Sequence, residues 1–194
     1  MNTVPKPAAQ KPTKRDAILN AMLDIVVERG FHDAPMSLVA ERSGASAGVI
    51  YHYFRSKEEI IQALHTRIIA LKRASLLDGY GPQMDDKAAF LHLFVNAYNF
   101  YHQHQREMRF LEQYSSAGFV CAPEENPPDA NLKAFQRRFS GRKKGGVLND
   151  WPPEVLQEMT LGLIERLARQ PRKLSPALLH EIAEKLWQIL KAPN

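Results

Sequence analysis

Residues 37–57 read SLVAERSGASAGVIYHYFRSK, and their punctuation specifies two short helices, a tight turn and the start of a third helix. Ser37 is a residue type that caps helix N-termini, with Leu38, Val39, Ala40 and Glu41 following it. Gly44 marks the stop, because glycine reaches the left-handed backbone region without a Cβ clash. Ser46 then caps a second helix, Ala47 to Phe54. Val49, Ile50 and Phe54 share the side that turns back onto the first helix. Ser46, Ala47, Gly48, Tyr51 and His52 fall on the opposite side, with small groups at the N-terminal end. A helix end that slim approaches a duplex closely.

Gly44-Ala45-Ser46, then Gly48-Val49-Ile50-Tyr51-His52-Tyr53-Phe54, then Ser56-Lys57-Glu58-Glu59 resembles the recognition segment of the tetracycline-repressor (TetR) family. Turn, aromatic cluster and the next helix cap fall in one register. Arg55 stands where the family has its first lysine, and Ile60 where it has leucine. The resemblance covers about the first third of the chain; the rest agrees in length and helical character. It implies an all-α fold: an N-terminal helix-turn-helix DNA-binding domain of three helices, then a C-terminal helical domain for ligand binding and dimerisation.

The resemblance also implies which residues meet DNA. Ser46, Ala47 and Gly48 open the recognition helix, and Tyr51 and His52 continue its outer face. Lys57 matches a phosphate contact and Ser37 a further backbone contact. Two readings stay open for Tyr53, which either packs beside Phe54 or reaches a phosphate. Arg42 and Arg55 are likewise phosphate contacts or solvated charges. Ala47 departs from the family's frequent lysine or arginine, and its methyl offers only apolar contact, for example with thymine. That departure supports a rival: a helical interaction module with the same fold that has lost sequence-specific DNA binding.

Composition agrees with a DNA partner without proving one. The chain has 194 residues, 44% of them hydrophobic, a formal net charge of +5 and a pI near 9.3. A sizeable core is affordable, and the positive balance favours a polyanion. The lone cysteine, Cys121, excludes an internal disulfide, and is an inert thiol or a redox switch. No apolar run nears the roughly 20 residues of a membrane span. The start, MNTVPKPAAQKPTKR, lacks the apolar core of a secretory signal, so the expectation is a cytoplasmic protein away from membranes.

Three segments are expected: a basic arm, 1–12; the helix-turn-helix domain, 13–57; and the effector-binding and dimerisation domain, 58–194. Lys6, Lys11, Lys14 and Arg15 charge the arm, which is a solvated tail or a phosphate contact. Thr13 caps a long helix that stops at Gly30, with Ile18, Met22, Ile25 and Val26 as its stripe and Phe31 in the core. From Ser56 a helix with Ile60, Leu64, Ile68 and Leu71 runs to Leu77 and stops at Asp78–Pro82. Later helices are expected near 85–102, 105–118 and 130–140, and from Asp150-Trp151-Pro152 and Ser175-Pro176, where serine or aspartate caps and proline takes the first position.

The middle helices are aromatic. Phe90, Phe94, Tyr98, Tyr101, Phe110 and Tyr114 are core, or line an effector pocket that the resemblance implies, for a hydrophobic or aromatic small molecule. The last helices are apolar on more than one side. Leu163, Ile164, Leu167, Ile182, Leu186 and Ile189 form a homodimer interface or fill the core, and Gly162 admits a close partner or is a tolerated defect. Lys133, Arg137, Arg138, Arg142, Lys143 and Lys144 make a basic run without an acid, either solvated or facing an acidic partner. An enzyme is disfavoured. His102 and His104 point to opposite sides of a helix, and His104 with Glu107 makes too few metal ligands. No phosphate-cradling glycine loop or nucleophile elbow appears, and no cofactor is implied.

Overall fold

The computed structural model describes residues 13–81, 83–119 and 130–193. The expected arm, 1–12, and Cys121 lie outside the described residues. Among those described the chain is all-α, apart from isolated bridges pairing Leu148 with Gly141 and with Lys191. Packing divides it into two compact units, 1–67 with 109–120, and 68–108 with 121–194. By packing, the first unit therefore extends beyond Lys57 and takes in a later segment.

The first unit opens with α1 (Lys14–Arg29), held by a reciprocal cap. The Thr13 hydroxyl accepts from the Asp16 amide at 3.1 Å, while Asp16 accepts from the Thr13 amide at 3.2 Å. Lys14 and Arg15 thus belong to the first turn of α1 and not to an arm. Gly30, at φ 83°, ends the helix. Ile18, Met22, Ile25 and Val26 are fully buried, as their spacing predicts. α2 (Met36–Ser43) starts two residues earlier than expected. Pro35 sits at its cap in an extended conformation, so Ser37 is an exposed first-turn residue and makes no cap bond. α3 (Ala47–Tyr53) follows, and α4 (Lys57–Leu77) begins beyond it.

α1, α2 and α3 pack on one another. Phe31 lies against Phe110 at 5.5 Å, Tyr114 at 6.4 Å and Phe119 at 4.9 Å between ring centroids. Phe110 and Tyr114 come from α6 (Gln105–Ser116), which joins this unit from Arg109 onward. Tyr114 also stacks on His65 and donates from its hydroxyl to Gln62 at 2.8 Å.

The second unit is built on α5 (Asp86–Gln103), which packs against the closing helices. α7 (Ala130–Arg138) leads to a short 3₁₀ turn, Arg142–Lys144. α8 (Pro153–Gln157), a π-helical turn (Glu158–Gly162) and α9 (Leu163–Ala168) run on without a break. α10 (Pro176–Leu190) starts as expected, with the Ser175 hydroxyl accepting from the Leu178 amide. Asp150 does not cap α8; its carboxylate accepts from the Lys143 amide at 2.8 Å, and Pro152 takes the cap position. Leu71 is 39% exposed, outside the stripe expected for α4.

Candidate functional site

The α2–α3 corner is fixed by local chemistry. Gly44 has φ 64°, a left-handed value costly for other residues. Ser43 donates to the Ala40 carbonyl and accepts from the Ala45 amide, so the turn holds its own polar groups. The Ser46 hydroxyl accepts from the Val49 amide at 3.4 Å. Ile50 and Phe54 are about fully buried, at 1% and 2% exposure, and anchor the inner side of α3. Phe54 itself is the C-cap, one residue past the helix end.

What remains outward is the face the spacing specifies. Ser46, Ala47, Gly48 and His52 are exposed, Tyr51 is 55% exposed and Tyr53 40%. A Cβ added at Gly48 meets nothing within 4 Å, so the surface there is open. Tyr53 meets the His52 ring edge-on at 5.3 Å.

The neighbouring cations divide. Arg42 is paired with Glu28 of α1 at 2.7 Å. The hydrogen bond between them holds the Glu28 carboxyl below its usual range and raises the Arg42 guanidinium. Arg55 keeps an exposed side chain, while its amide donates to Glu59 at 2.6 Å and Ser56 caps α4 through the Glu59 amide. Lys57 is half-buried and donates to the Phe31 carbonyl at 2.5 Å. Sequence reading missed the placement of Arg15, whose guanidinium lies 5.2 Å over the Phe54 ring. No local pattern announces it, since Arg15 and Phe54 are brought together only by α1 and α3 packing.

The second unit contains a cavity of about 790 Å³. Leu76, Phe90, Leu93 and Phe94 meet Phe135, Phe139 and Trp151 around it, with Leu156, Leu161 and Ile164 opposite. Of the aromatics expected to form a pocket, Phe90 and Phe94 line this cavity. Tyr98 is buried apart from it, accepting from the Leu174 amide at 2.8 Å. Tyr101 is buried under the Lys72 ammonium, 5.0 Å from the ring centroid. Burial, and then the Glu165 carboxylate, push the Tyr101 hydroxyl well above its ordinary value; burial lowers Lys72. Phe110 and Tyr114 pack with Phe31 in the first unit.

The basic run is not free of acids. Arg138 bonds Asp86 at 2.7 Å, the Tyr80 hydroxyl at 3.2 Å and the Met84 carbonyl, tying α7 to the start of α5. Of the residues expected at a dimer interface, Ile164 and Leu186 are buried in the protomer, while Leu163, Leu167 and Ile182 are half-buried. Ile189 is 52% exposed, and Leu178 and Val155 are each 42% exposed. The π turn carries Gly162, whose added Cβ would meet the Glu158 carboxylate at 2.6 Å. His102 meets the Ala168 carbonyl at 3.1 Å, and His104 lies 3.7 Å from Glu107. No described helix is long and apolar enough to cross a membrane.

Residues 18–64 match the model of bacterial regulatory proteins of the tetR family. The HTH-type transcriptional regulator BetI of Klebsiella pneumoniae (strain 342) is 36% identical over 68 residues, 35% of this chain and 35% of that protein. BetI of Escherichia coli O139:H28 is 35% identical over 65 residues, 34% of this chain and 33% of its own length. The match thus spans about a third of these relatives. Likeness of fold extends further. A TetR family transcription regulator from Marinobacter aquaeolei VT8 aligns over 93% of this chain and 96% of its own, at TM-score 0.78 and 17% identity. One from Haemophilus influenzae aligns over 92% and 97%, at TM-score 0.73 and 20% identity.

Proposed function

We propose that the chain is a transcriptional regulator of the TetR family, a reading that the match over residues 18–64 and the likeness of fold support, that it represses transcription by binding a palindromic DNA operator as a homodimer, and that a small molecule releases it. The observation that carries this reading is the outer face of α3. Tyr51, Tyr53 and His52 stand exposed behind Ala47 and Gly48, on a helix that Ile50 and Phe54 hold rigidly. An α-helix of that kind fits the major groove, where base edges differ. Phosphate contacts position it, and Arg55, Lys57 and Ser37 supply them. Ala47 leaves the readout to Gly48, Tyr51 and His52, with an apolar contact at its own position.

One short helix buries little surface, so a two-fold pair of chains doubles the site. The exposed apolar residues of the closing helices, Leu178 and Ile189 of α10 with Val155 of α8, and the half-buried Ile182 support that pairing. The cavity of the second unit is the effector site. A ligand shifts operator affinity only through its different affinity for the two conformations. α4 carries Leu76 into the cavity wall, so the cavity is lined in part by the helix that follows the recognition segment in the chain.

The test is an electrophoretic mobility shift with duplexes taken from the DNA flanking the chain's own coding sequence. A shift that weakens with salt and disappears with Tyr51→Ala supports the reading. A shift indifferent to Tyr51→Ala, or none on any flanking duplex, favours an interaction module that has kept the fold alone, the rival that Ala47 suggests.

A further inference from the structure

Resting on the effector reading above, we propose that the cavity takes an amphipathic organic anion: an aromatic or branched apolar body carrying one acidic head group.

The body is specified by the walls. A volume of about 790 Å³ suits a drug-sized molecule. Phe90, Phe94, Phe135, Phe139 and Trp151 present rings from separate parts of the chain. The Thr160 hydroxyl, also in the wall, spends its proton on the Leu156 carbonyl at 2.7 Å. Gln136 and Gln157 are exposed at the solvent side. A strongly polar neutral ligand would therefore lose more hydrogen bonds on entry than the walls return.

The head group is specified by charge. Lys143 and Lys144 line the same cavity, against a single acid, Asp150. Asp150 is engaged with the Lys143 amide and not with either ammonium. Among the described residues neither ammonium has an ion pair. Both lysines are exposed, so they stand at the mouth of the cavity. A head group that reaches the mouth from a body seated on the apolar walls meets two ammonium groups, and a negative charge there makes the stronger, charge-assisted kind of hydrogen bond.

The backbone turn that carries the lysines is also held in place before any ligand arrives. Their turn is pinned by the Arg142 amide on the Leu148 carbonyl at 2.9 Å and by the Asn149 amide on the Leu190 carbonyl at 2.8 Å. A prearranged turn loses little entropy on binding. Lys133 and Arg137 border a second, shallower depression beside Arg138 and Gly145, so the field over this side of the unit is positive and draws anions inward.

Two matched probes test the charge requirement on the full chain: 1-anilinonaphthalene-8-sulfonate, and N-phenyl-1-naphthylamine, which has the same rings without the sulfonate. Fluorescence titration is expected to show the sulfonate bound roughly tenfold more tightly. The double variant K143Q/K144Q should bring the sulfonate down to the affinity of the neutral probe, whose own affinity stays unchanged. Leu156→Trp, or Leu161→Trp should the first fail to fold, fills the cavity and should remove both. Equal binding of the two probes overturns the proposal. So does a sulfonate preference that survives K143Q/K144Q, or binding that survives a folded cavity-filling variant. Mobility shifts run in parallel keep the two readings separate: K143Q/K144Q should still shift DNA, whereas a wild-type chain that shifts none removes the regulator reading whatever the probes do.

Discussion

The Lys57 ammonium donates to the Phe31 carbonyl oxygen at 2.5 Å, so the first residue of α4 closes the loop that follows α1. Lys57 is also the residue proposed to reach a phosphate, and its three donors allow both. Lys57→Met should cost about 1–2 kcal/mol in chemical denaturation, the worth of a charge-assisted bond in a half-exposed place. It should also lower the salt slope of operator binding by roughly 1 per protomer. A normal slope with reduced stability would give Lys57 a structural role alone.

Gly48→Ala separates folding from recognition. The added methyl meets nothing within 4 Å in the protomer, and alanine favours a helix over glycine by about 1 kcal/mol. The variant should unfold at a higher denaturant concentration. In the proposed complex the same methyl would stand at the end of the helix that enters the groove, so operator affinity should fall, by roughly tenfold. Unchanged affinity would remove Gly48 from the interface.

The cap of α1 gives the first unit an acid dependence. The Thr13 hydroxyl, and then its amide, hold the Asp16 carboxyl below its usual range, with Arg67 and Arg15 adding to this. A depressed folded value means that the stabilisation is complete above the ordinary carboxylate pKa of about 4 and is lost as pH falls through the lower folded value. Asp16→Asn should therefore cost about 1 kcal/mol near neutral pH. Thermal melts of the two proteins should converge below about pH 3. A constant gap across that range would assign the cost to something other than the carboxylate's charge.

Two residues on α10 should respond in opposite ways. Ile189, 52% exposed, contributes little to the protomer core, so Ile189→Glu should leave the chain folded but monomeric in sedimentation and weak on DNA. Leu186, 6% exposed, is core, and Leu186→Ala should cost about 2–4 kcal/mol. A dimer that survives Ile189→Glu places the pairing surface elsewhere.

Gly146→Ala should loosen one wall of the cavity. An added Cβ would lie 2.0 Å from the Ser140 carbonyl oxygen, and that oxygen is backbone and cannot swing aside. The turn bearing Lys143 and Lys144 must shift, at a cost of about 1–3 kcal/mol. Circular dichroism melts and the sulfonate titration should both register it. Wild-type behaviour in both would mean that the turn has slack.

Legibility in the sequence follows how local each signal is. Thr13, Ser46 and Ser175 cap the helices their positions announce, because a cap needs only its own side chain and an amide two or three residues on. Ser37 and Asp150 carry the same signal without the outcome. Pro35 can serve as a helix cap position without any side-chain bond, and Asp150 has a better partner in the Lys143 amide of a folded-back turn. The outer face of α3 was readable because Gly44 and Ser46 set the register, and Ile50 and Phe54 then decide which side turns inward. The cavity was half readable: Phe90 and Phe94 belong to it, but Phe135, Phe139 and Trp151 come from distant chain and follow no period shared with α5.

Adjacent residues alone therefore determined the helices, the corner between α2 and α3, and the face that meets solvent there, since helix breaks and hydrophobic periods act over a few positions. Only the tertiary structure decided which rings share a core: Phe110 and Tyr114 gather around Phe31, while Phe94 faces the cavity. It also decided where the charges go, spending Arg42 on Glu28 and Arg138 on Asp86 while leaving Lys143 and Lys144 beside apolar walls. Burial and ion pairing depend on neighbours brought from far along the chain, and a side chain's type does not record who those neighbours are.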